Sequence, residues 1–265
     1  TENMLNPSDE KVYETLNKIY TEIASLFPGE YIHMGGDECY KGYWKESDEV
    51  KNFMQKNNMK NMHDLQAYFI DRVQKIIESK DKKMIGWDEI TEGHLNQDAA
   101  VMSWQGMKGG IKAAKLGHKV VMSPTTYAYL DYTQGDKSVE NSIYASLSLE
   151  KSYTFEPVPD SVNPKYIMGG QANLWTEVIP TLSFAYYMTY PRALSISETL
   201  WSPKEKKNWE NFAQKTLFHF DRFNEQKINI SKAVLDPIIT VYKSGEKIMC
   251  KLKNNIPGTS IYYTI

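Results

Sequence analysis

Cysteine is scarce in this sequence, and the two cysteines, Cys39 and Cys250, lie far apart. They provide neither a disulfide framework nor the spacing of a metal site, so they say little about the redox compartment. The sequence also lacks a run of about eighteen apolar residues, the minimum for a membrane-spanning helix, and we expect no membrane insertion in this segment. Its first residues do not resemble a signal peptide, although a leader ahead of Thr1 stays open.

Excess charge of either sign is also missing. The net charge is −2, the sequence pI is about 6.2, and lysines are interspersed with acidic residues. A nucleic-acid or anionic-membrane partner is therefore not expected. Aromatic residues, in contrast, are abundant at 12 %, with six Trp and eighteen Tyr. Most aromatic residues fill cores, but sugar-binding clefts also use them, because a pyranose face packs on an indole plane.

One stretch organises the rest of the chain. An apolar run of strand type, residues 31–34, ends in Gly35 and Gly36, and the adjacent acids Asp37 and Glu38 follow at once. Neighbouring side chains of a strand point to opposite faces, but the glycines let the backbone bend and turn both acids into one cleft. Two carboxylates in one low-dielectric cleft repel, which pushes one towards its protonated form. Taken alone, the pair could equally be a solvated surface turn.

Helical and strand patterns alternate along the first 230 residues, which is typical of an α/β fold. The strand patterns fall at residues 31–34, 83–89, 100–104, 119–123 and 166–171. Helical patterns cover residues 6–27, 50–54 and 65–77, and we predict two more helices at about 181–201 and 204–226. Residues 40–44 are predicted to form an aromatic loop, and residues 132–165 a long loop.

Polar or aromatic side chains lie at or just beyond the carboxyl end of every one of the five predicted strands. In chain order they are Asp37 and Glu38, Trp87 and Asp88, Trp104, Tyr129 and Asp131, and Trp175 and Glu177. Because parallel strands joined by helices place their carboxyl ends on one face, we expect these side chains to converge on one pocket. A single strand-end Trp is usually packing, and Asp131 alone would be a turn residue. Packing requires no acids, however, so the repeated pattern favours a hydroxylated ligand with an apolar face.

The strand count and the end of the chain predict the domain organisation. A (β/α)8 TIM-type barrel has about 250 residues, and only five strand patterns precede residue 172. We therefore predict that residues 1–230 are the carboxyl-terminal portion of such a barrel and hold its later strands only. Residues 231–265 are predicted to begin an all-β, Ig-like sandwich domain, with a hairpin at 238–252 and another strand from Ile261.

The sequence resembles glycoside hydrolase family 20, the β-N-acetylhexosaminidases, over roughly residues 5–227. The motifs that carry the resemblance are His33-Met34-Gly35-Gly36-Asp37-Glu38, Gly86-Trp87-Asp88-Glu89, Ser103-Trp104-Gln105-Gly106, Tyr129-Leu130-Asp131, Gly169-Gly170-Gln171-Ala172-Asn173-Leu174-Trp175-Thr176-Glu177 and Tyr190-Pro191-Arg192 with Glu198-Thr199-Leu200-Trp201-Ser202. The resemblance implies a retaining mechanism in which the 2-acetamido oxygen of the substrate attacks the anomeric carbon, so no enzyme nucleophile is required.

The resemblance also implies a role for each candidate residue. Glu38 would act as general acid and then as general base, Asp37 would hold the acetamido N–H, and Tyr129 would donate to the acetamido carbonyl. The substrate-binding residues would be Trp87 and Trp104 around the acetamido methyl group, Trp175 on the sugar face, and Asp131 and Glu177 on the ring hydroxyls. We assign His33, Asp88, Glu89 and Arg192 supporting or structural roles.

The family's first barrel strand carries a sugar-gripping arginine that cannot be mapped onto this sequence. We therefore expect the 265-residue chain alone to have little activity. No cofactor or metal is implied, and the implied partner is an N-acetylhexosamine-containing oligosaccharide or glycan. We further expect a bacterial protein exported to the periplasm or cell surface; a homodimer is one expectation for its oligomeric state.

Two alternatives stay open at this point. The first is a non-catalytic sugar-binding module or pseudoenzyme, which would keep the pocket without turnover. It is disfavoured because binding alone needs no acid, whereas Asp37, Glu38 and Tyr129 are all present. The second is a metal-dependent hydrolase that uses His33, Asp37 and Glu38. The sequence does not distinguish N-acetylglucosamine from N-acetylgalactosamine, and it leaves the linkage open.

Overall fold

The alternating helical and strand patterns of the sequence correspond to two structural units. The structure, a computed structural model, describes residues 4–136, 140 and 143–264. The first unit comprises Thr1–Met122 and Val158–Gly169, and the second comprises Ser123–Pro157 and Gly170–Ile265. The two predicted domains, residues 1–230 and 231–265, separate a barrel from a sandwich and are not the same as these two units. The predicted domain boundary stays a prediction.

The first unit contains the five-stranded sheet, apart from Gly170 at the end of its last strand. Its strands are β1 (Tyr31–His33), β2 (Lys83–Trp87), β3 (Ala100–Ser103), β4 (Val120–Met122) and β5 (Ile167–Gly170), and its helices are α1 (Glu10–Leu26), α2 (Gly42–Glu46), α3 (Asp48–Lys56), α4 (Met62–Glu78) and α5 (Lys108–Lys115). The strands lie in chain order, and β1 pairs with β2, β2 with β3 and β3 with β4 in parallel. This arrangement confirms the predicted α/β class.

Capping side chains mark the starts of α1 and α4. Asp9 accepts from the backbone N–H of Lys11 at the start of α1, and Asn61 and Asp64 form a capping box at the start of α4. Helix α1 packs on α4, which packs on β2, while α5 packs on β3 and β4. The sheet residues Val101 and Val120 are fully buried, so helices cover the strands as a parallel sheet requires.

The second unit is mainly helical. Its helices are α6 (Thr125–Ala128), α7 (Leu149–Tyr153), α8 (Leu182–Thr189), α9 (Arg192–Trp201) and α10 (Trp209–Glu225), and its strands are β6 (Ile238–Ser244) and β7 (Lys247–Lys253). Its core includes Tyr153, Phe212, Phe220, Ile230 and Ile256. The rings of Tyr153 and Phe212 stack with centroids 4.5 Å apart.

Several predictions about elements were wrong. The single helix predicted for residues 181–201 is interrupted at Tyr190 and Pro191, because a proline lacks the helical N–H and forces the residue before it into an extended conformation. The predicted 204–226 helix starts at Trp209, where the Asn208 side chain accepts from the N–H of Asn211. Short helices also form inside the predicted loops, at 42–46 and at 149–153.

The predicted hairpin is confirmed as β6 and β7, which pair antiparallel across a turn with Gly245 at φ +62°. Every residue of both strands is exposed, so their alternating pattern does not face a core among the residues that the structure describes. The further strand predicted from Ile261 is not present over residues 261–264, and Ile265 lies outside the described residues.

Candidate active site

A sharp backbone bend follows β1 and carries the acid pair. Gly35 and Gly36 have φ values of +81° and +101°, which an L side chain rarely adopts. The backbone N–H of Trp87 donates to the Gly35 carbonyl at 2.9 Å, and this bond fixes the bend to β2. A Cβ on Gly36 would lie 2.6 Å from the Ile90 side chain, so the bend leaves no room for a larger residue.

The acids themselves are solvent-accessible in this chain. Asp37 and Glu38 are both exposed, so the described residues do not give them the low-dielectric surroundings that the sequence predicts. Glu38 has φ +44°, a left-handed conformation that is uncommon outside glycine and tends to be kept at functional sites. The predicted bend between the strand and the acids is therefore present, whereas the predicted burial of the pair is not.

His33 supports this bend. Its Nδ1 accepts from the N–H of Gly35 at 3.0 Å, so the neutral ring carries its proton on Nε2. Its ring lies 4.8 Å from the Trp87 ring, centroid to centroid. His33 is exposed as a whole, but partial desolvation of its ring lowers its pKa, and the charge of Asp37 opposes that change. These contacts match the supporting role that the sequence indicates for His33.

Two of the predicted tryptophans meet in the first unit. The rings of Trp87 and Trp104 lie edge to face, with centroids 6.5 Å apart and an interplanar angle of 72°. Trp87 is buried and Trp104 is half-buried. The Trp104 indole N–H donates to Glu89 Oε2 at 2.9 Å, and Gln105 Nε2 donates to Glu89 Oε1 at 2.8 Å. Sequence reasoning missed both contacts of Glu89.

The remaining predicted residues come together in the second unit. Tyr129 pairs with Asn173 in an isolated parallel bridge, and the N–H of Leu130 donates to the Asn173 carbonyl at 2.7 Å. This pairing brings the Tyr129 ring to 6.3 Å from the Trp175 ring. Asp131 is almost fully buried and lies within electrostatic range of Glu177, which is exposed.

Burial raises the pKa values of Tyr129 and Asp131. It raises the pKa of Tyr129 to about 12, although hydrogen bonds from Trp175 and Asn173 oppose that rise, so the phenol keeps its proton at neutral pH and can donate. Burial also raises the pKa of Asp131 to about 6; Glu177 adds to that rise and Arg192 opposes it. Asp131 is therefore mostly ionised at pH 7 and can accept hydrogen bonds from hydroxyl groups.

A fully buried arginine holds the loop around Asp131. The Arg192 guanidinium donates to the backbone carbonyls of Leu130, Tyr132, Leu147 and Met188 at 2.6–3.1 Å. Burial lowers the pKa of Arg192 to about 9, and Asp131 opposes that change, so the side chain stays protonated at neutral pH. The supporting role that the sequence indicates for Arg192 thus corresponds to bonds on both sides of Asp131.

We expect Arg192→Met to destabilise the protein by about 3–5 kcal/mol, because it leaves buried carbonyls without their donor and removes the positive charge near the buried Asp131 carboxylate. Urea denaturation of the variant measures this loss of unfolding free energy. Arg222→Met is the matched control, since Arg222 is exposed on α10 and its replacement should change stability by less than about 0.5 kcal/mol. Equal effects of the two substitutions would contradict a supporting role for Arg192.

The predicted site residues thus form two groups. Asp37, Glu38, Trp87 and Trp104 belong to the first unit, and Tyr129, Asp131, Trp175 and Glu177 belong to the second. Their convergence on one pocket stays a prediction. Among the described residues, no group of three or more His, Cys, Asp or Glu side chains is arranged to hold a metal ion. No helix in the described part of the chain is both long and apolar enough to cross a membrane.

A parallel α/β sheet with carboxylates and indoles beyond its strand ends is typical of an enzyme of the α/β-barrel class. The catalytic-domain profile of glycosyl hydrolase family 20 matches residues 1–204. The chain belongs to this family, which confirms the resemblance seen in the sequence and the (β/α)8 type of fold.

Relatives and solved structures agree with this assignment. The chain is 41 % identical over 211 residues to a β-hexosaminidase of Porphyromonas gingivalis, covering 78 % of this chain and 27 % of the relative. It is 30 % identical to a β-hexosaminidase of Vibrio furnissii, covering 74 % of this chain and 33 % of the relative. The structure of an exo-β-N-acetylglucosaminidase from Vibrio harveyi in complex with N-acetylglucosamine matches with a TM-score of 0.81 and 31 % identity, over 88 % of this chain and 38 % of that one. The chain thus spans about a third of the length of these relatives.

Proposed function

We propose that the whole protein removes terminal non-reducing N-acetylhexosamine residues, N-acetylglucosamine or N-acetylgalactosamine, from β-linked glycans. The observation that carries the proposal is the acid pair Asp37 and Glu38, set on a glycine bend after the first strand of this chain, within the residues that match the family 20 catalytic domain. The names of the relatives, β-hexosaminidases and an exo-β-N-acetylglucosaminidase, support the same substrate class.

The proposed mechanism is retaining and assisted by the substrate. In the first step the acetamido oxygen bonds to the anomeric carbon, the glycosidic C–O bond breaks, and Glu38 gives its proton to the leaving oxygen. In the second step Glu38 takes a proton from water as the water oxygen attacks the anomeric carbon, and the bond to the acetamido oxygen breaks. Holding the acetamido group in place gives the rate advantage of an intramolecular nucleophile.

Asp37 would hold the acetamido N–H and stabilise the positive charge that develops on the cyclising group. Tyr129, which keeps its phenolic proton, would donate to the acetamido oxygen. Trp87 and Trp104 would enclose the acetamido methyl group, and Trp175 would pack on the sugar ring. Asp131 and Glu177 would accept from the ring hydroxyls.

We expect the whole protein to hydrolyse a chromogenic N-acetyl-β-D-glucosaminide with a kcat/KM at least about 100-fold above that for the matching 2-hydroxy β-glucoside, which lacks the internal nucleophile. The 265-residue chain alone should show little turnover, because its acid pair is exposed to water. Equal rates on the two glycosides would contradict the proposal.

Two controls separate the alternatives. Activity that survives exhaustive chelation would remove the metal-dependent hydrolase. Binding of the N-acetylated sugar without turnover by the whole protein would favour the sugar-binding module or pseudoenzyme instead.

A further inference from the structure

A pair of buried carboxyl groups follows β2 and is not used by the proposed mechanism. Asp88 and Glu89 begin a 3-10 turn that runs from Asp88 to Glu92, and they are only 6 % and 9 % exposed. Acidic side chains are rarely buried this deeply unless they are paired or hydrogen-bonded. The partners of these two buried acids therefore indicate what each side chain does.

Glu89 contacts two consecutive residues beyond the end of β3. Its Oε2 accepts from the Trp104 indole N–H, and its Oε1 accepts from the Gln105 amide. An indole N–H only donates, so the position of its acceptor restricts the rotation of the ring. The same Trp104 ring meets Trp87 edge to face. The contacts of Glu89 thus reach the pair of rings assigned to the acetamido methyl group.

We infer that Glu89 is a positioning residue that sets the orientation of Trp104 and so determines which N-acyl groups the enzyme accepts. The inference rests on the proposed function, because it takes Trp104 as a wall of the acyl pocket. A fixed ring leaves room for an acetyl group and excludes a longer acyl chain. A released ring admits the longer chain and holds the acetyl group less well.

Asp88 completes the arrangement. Its Oδ2 accepts from the Ser103 hydroxyl, while its buried Oδ1 has no hydrogen-bond partner in the described part of the chain. Glu89 lies within hydrogen-bonding range, so a proton on Asp88 allows it to donate to Glu89. Burial, and then the charge of Glu89, raise the pKa of Asp88 to about 7, whereas the Ser103 bond opposes that rise. A Cβ at position 109 would lie 2.0 Å from Asp88 Oδ2, so Gly109 permits this placement.

The other charged groups around the turn interact with groups other than Asp88. Lys112 from α5 reaches the Thr91 carbonyl, and His63 and Lys41 pair with Glu92 at the far end of the turn. Asp88 therefore has Glu89 as its main charged neighbour. Above pH 7 the ionised Asp88 repels Glu89, and we expect Glu89 to hold the Trp104 indole ring less firmly.

Steady-state kinetics of the whole protein test the inference with chromogenic β-glucosaminides that carry N-acetyl, N-propionyl or N-butyryl groups. Wild type should favour acetyl over propionyl by about 10-fold or more in kcat/KM, the effect of one methylene in a fitted pocket. Glu89→Gln should lower that ratio severalfold, mainly through a higher KM for the N-acetyl substrate. Glu92→Gln, on the exposed end of the same turn, should leave the ratio unchanged.

Asp88→Asn provides a second, independent measurement, because an amide can donate to Glu89 at every pH. The acetyl-to-propionyl ratio of wild type should fall as the pH rises through 7, and that of Asp88→Asn should stay constant. If Glu89→Gln does not fold, this comparison decides the matter, and identical pH profiles would overturn the inference. An active wild type with an unchanged acyl ratio in folded Glu89→Gln would also overturn it. An inactive wild type would instead refute the proposed function.

Discussion

Glu38→Gln should lower kcat/KM by about 10²–10⁴-fold on a substrate with a poor leaving group, such as a natural β-linked disaccharide. The amide cannot give up a proton to the glycosidic oxygen, so that oxygen would leave as an unstabilised alkoxide. Nitrophenolate departs without a proton, so the substitution should slow the first step of nitrophenyl glycoside hydrolysis much less. The size of the effect should therefore follow the basicity of the leaving group.

Rates for a series of aryl glycosides and for the disaccharide measure this dependence, and calorimetry with a thiazoline derivative of the sugar measures binding. Binding should persist in Glu38→Gln, because in the proposed mechanism the acid would contact the leaving oxygen rather than the acetamido group. Glu46→Gln is the matched control, since Glu46 is exposed on the neighbouring helix α2. If Glu38→Gln and Glu46→Gln hydrolyse the disaccharide equally well, Glu38 is not the general acid.

Asp37→Asn should lower kcat by about 10²–10³-fold for good and poor leaving groups alike. The carboxylate would hold the acetamido N–H and face the charge that develops as the ring closes, and a neutral amide supplies neither effect. The loss should appear in the cyclisation step, which every substrate shares. In this respect Asp37→Asn differs from Glu38→Gln, whose effect depends on the leaving group.

Affinity for the thiazoline separates the two acids further. Asp37→Asn should bind this analogue of the cyclised intermediate much more weakly than wild type, and Glu38→Gln should bind it nearly as well as wild type. Asp98→Asn, an exposed substitution in the same unit, should change neither rate nor affinity. Unaltered thiazoline affinity in Asp37→Asn would show that Asp37 does not contact the acetamido group.

The sequence predicts the elements that depend on local patterns. Alternating apolar runs mark the five strands, and the Gly35-Gly36 pair marks the bend, because both signals lie within a few neighbouring residues. Pro191 is an equally local signal, but the apolar pattern continues across it and the break was missed. The strand-end pattern and the family motifs together single out Asp37, Tyr129 and Trp175 as candidate site residues, which composition alone would leave as turn or core residues.

Contacts between distant segments were harder to predict. The bonds from Glu89 to Trp104 and Gln105 join residues at the ends of different strands, and no pattern in the sequence marks a Trp as a donor to a particular acid. The complete burial of Arg192 is similar, since its carbonyl acceptors lie as far as 62 positions away in the sequence. Only the folded structure shows that this charged side chain is fully buried.

Ile90 lies in the same 3-10 turn as Asp88 and Glu89 and is fully buried. Any Cβ added to Gly36 or Gly86 would lie within 3.0 Å of this one side chain. The bend that carries Asp37 and the turn that contains Glu89 therefore meet at the Ile90 side chain. If the proposed roles hold, we expect a substitution at Gly36 or Gly86 to disturb proton transfer and acyl selection together, so that a change in acyl preference alone would come from side chains farther from the bend.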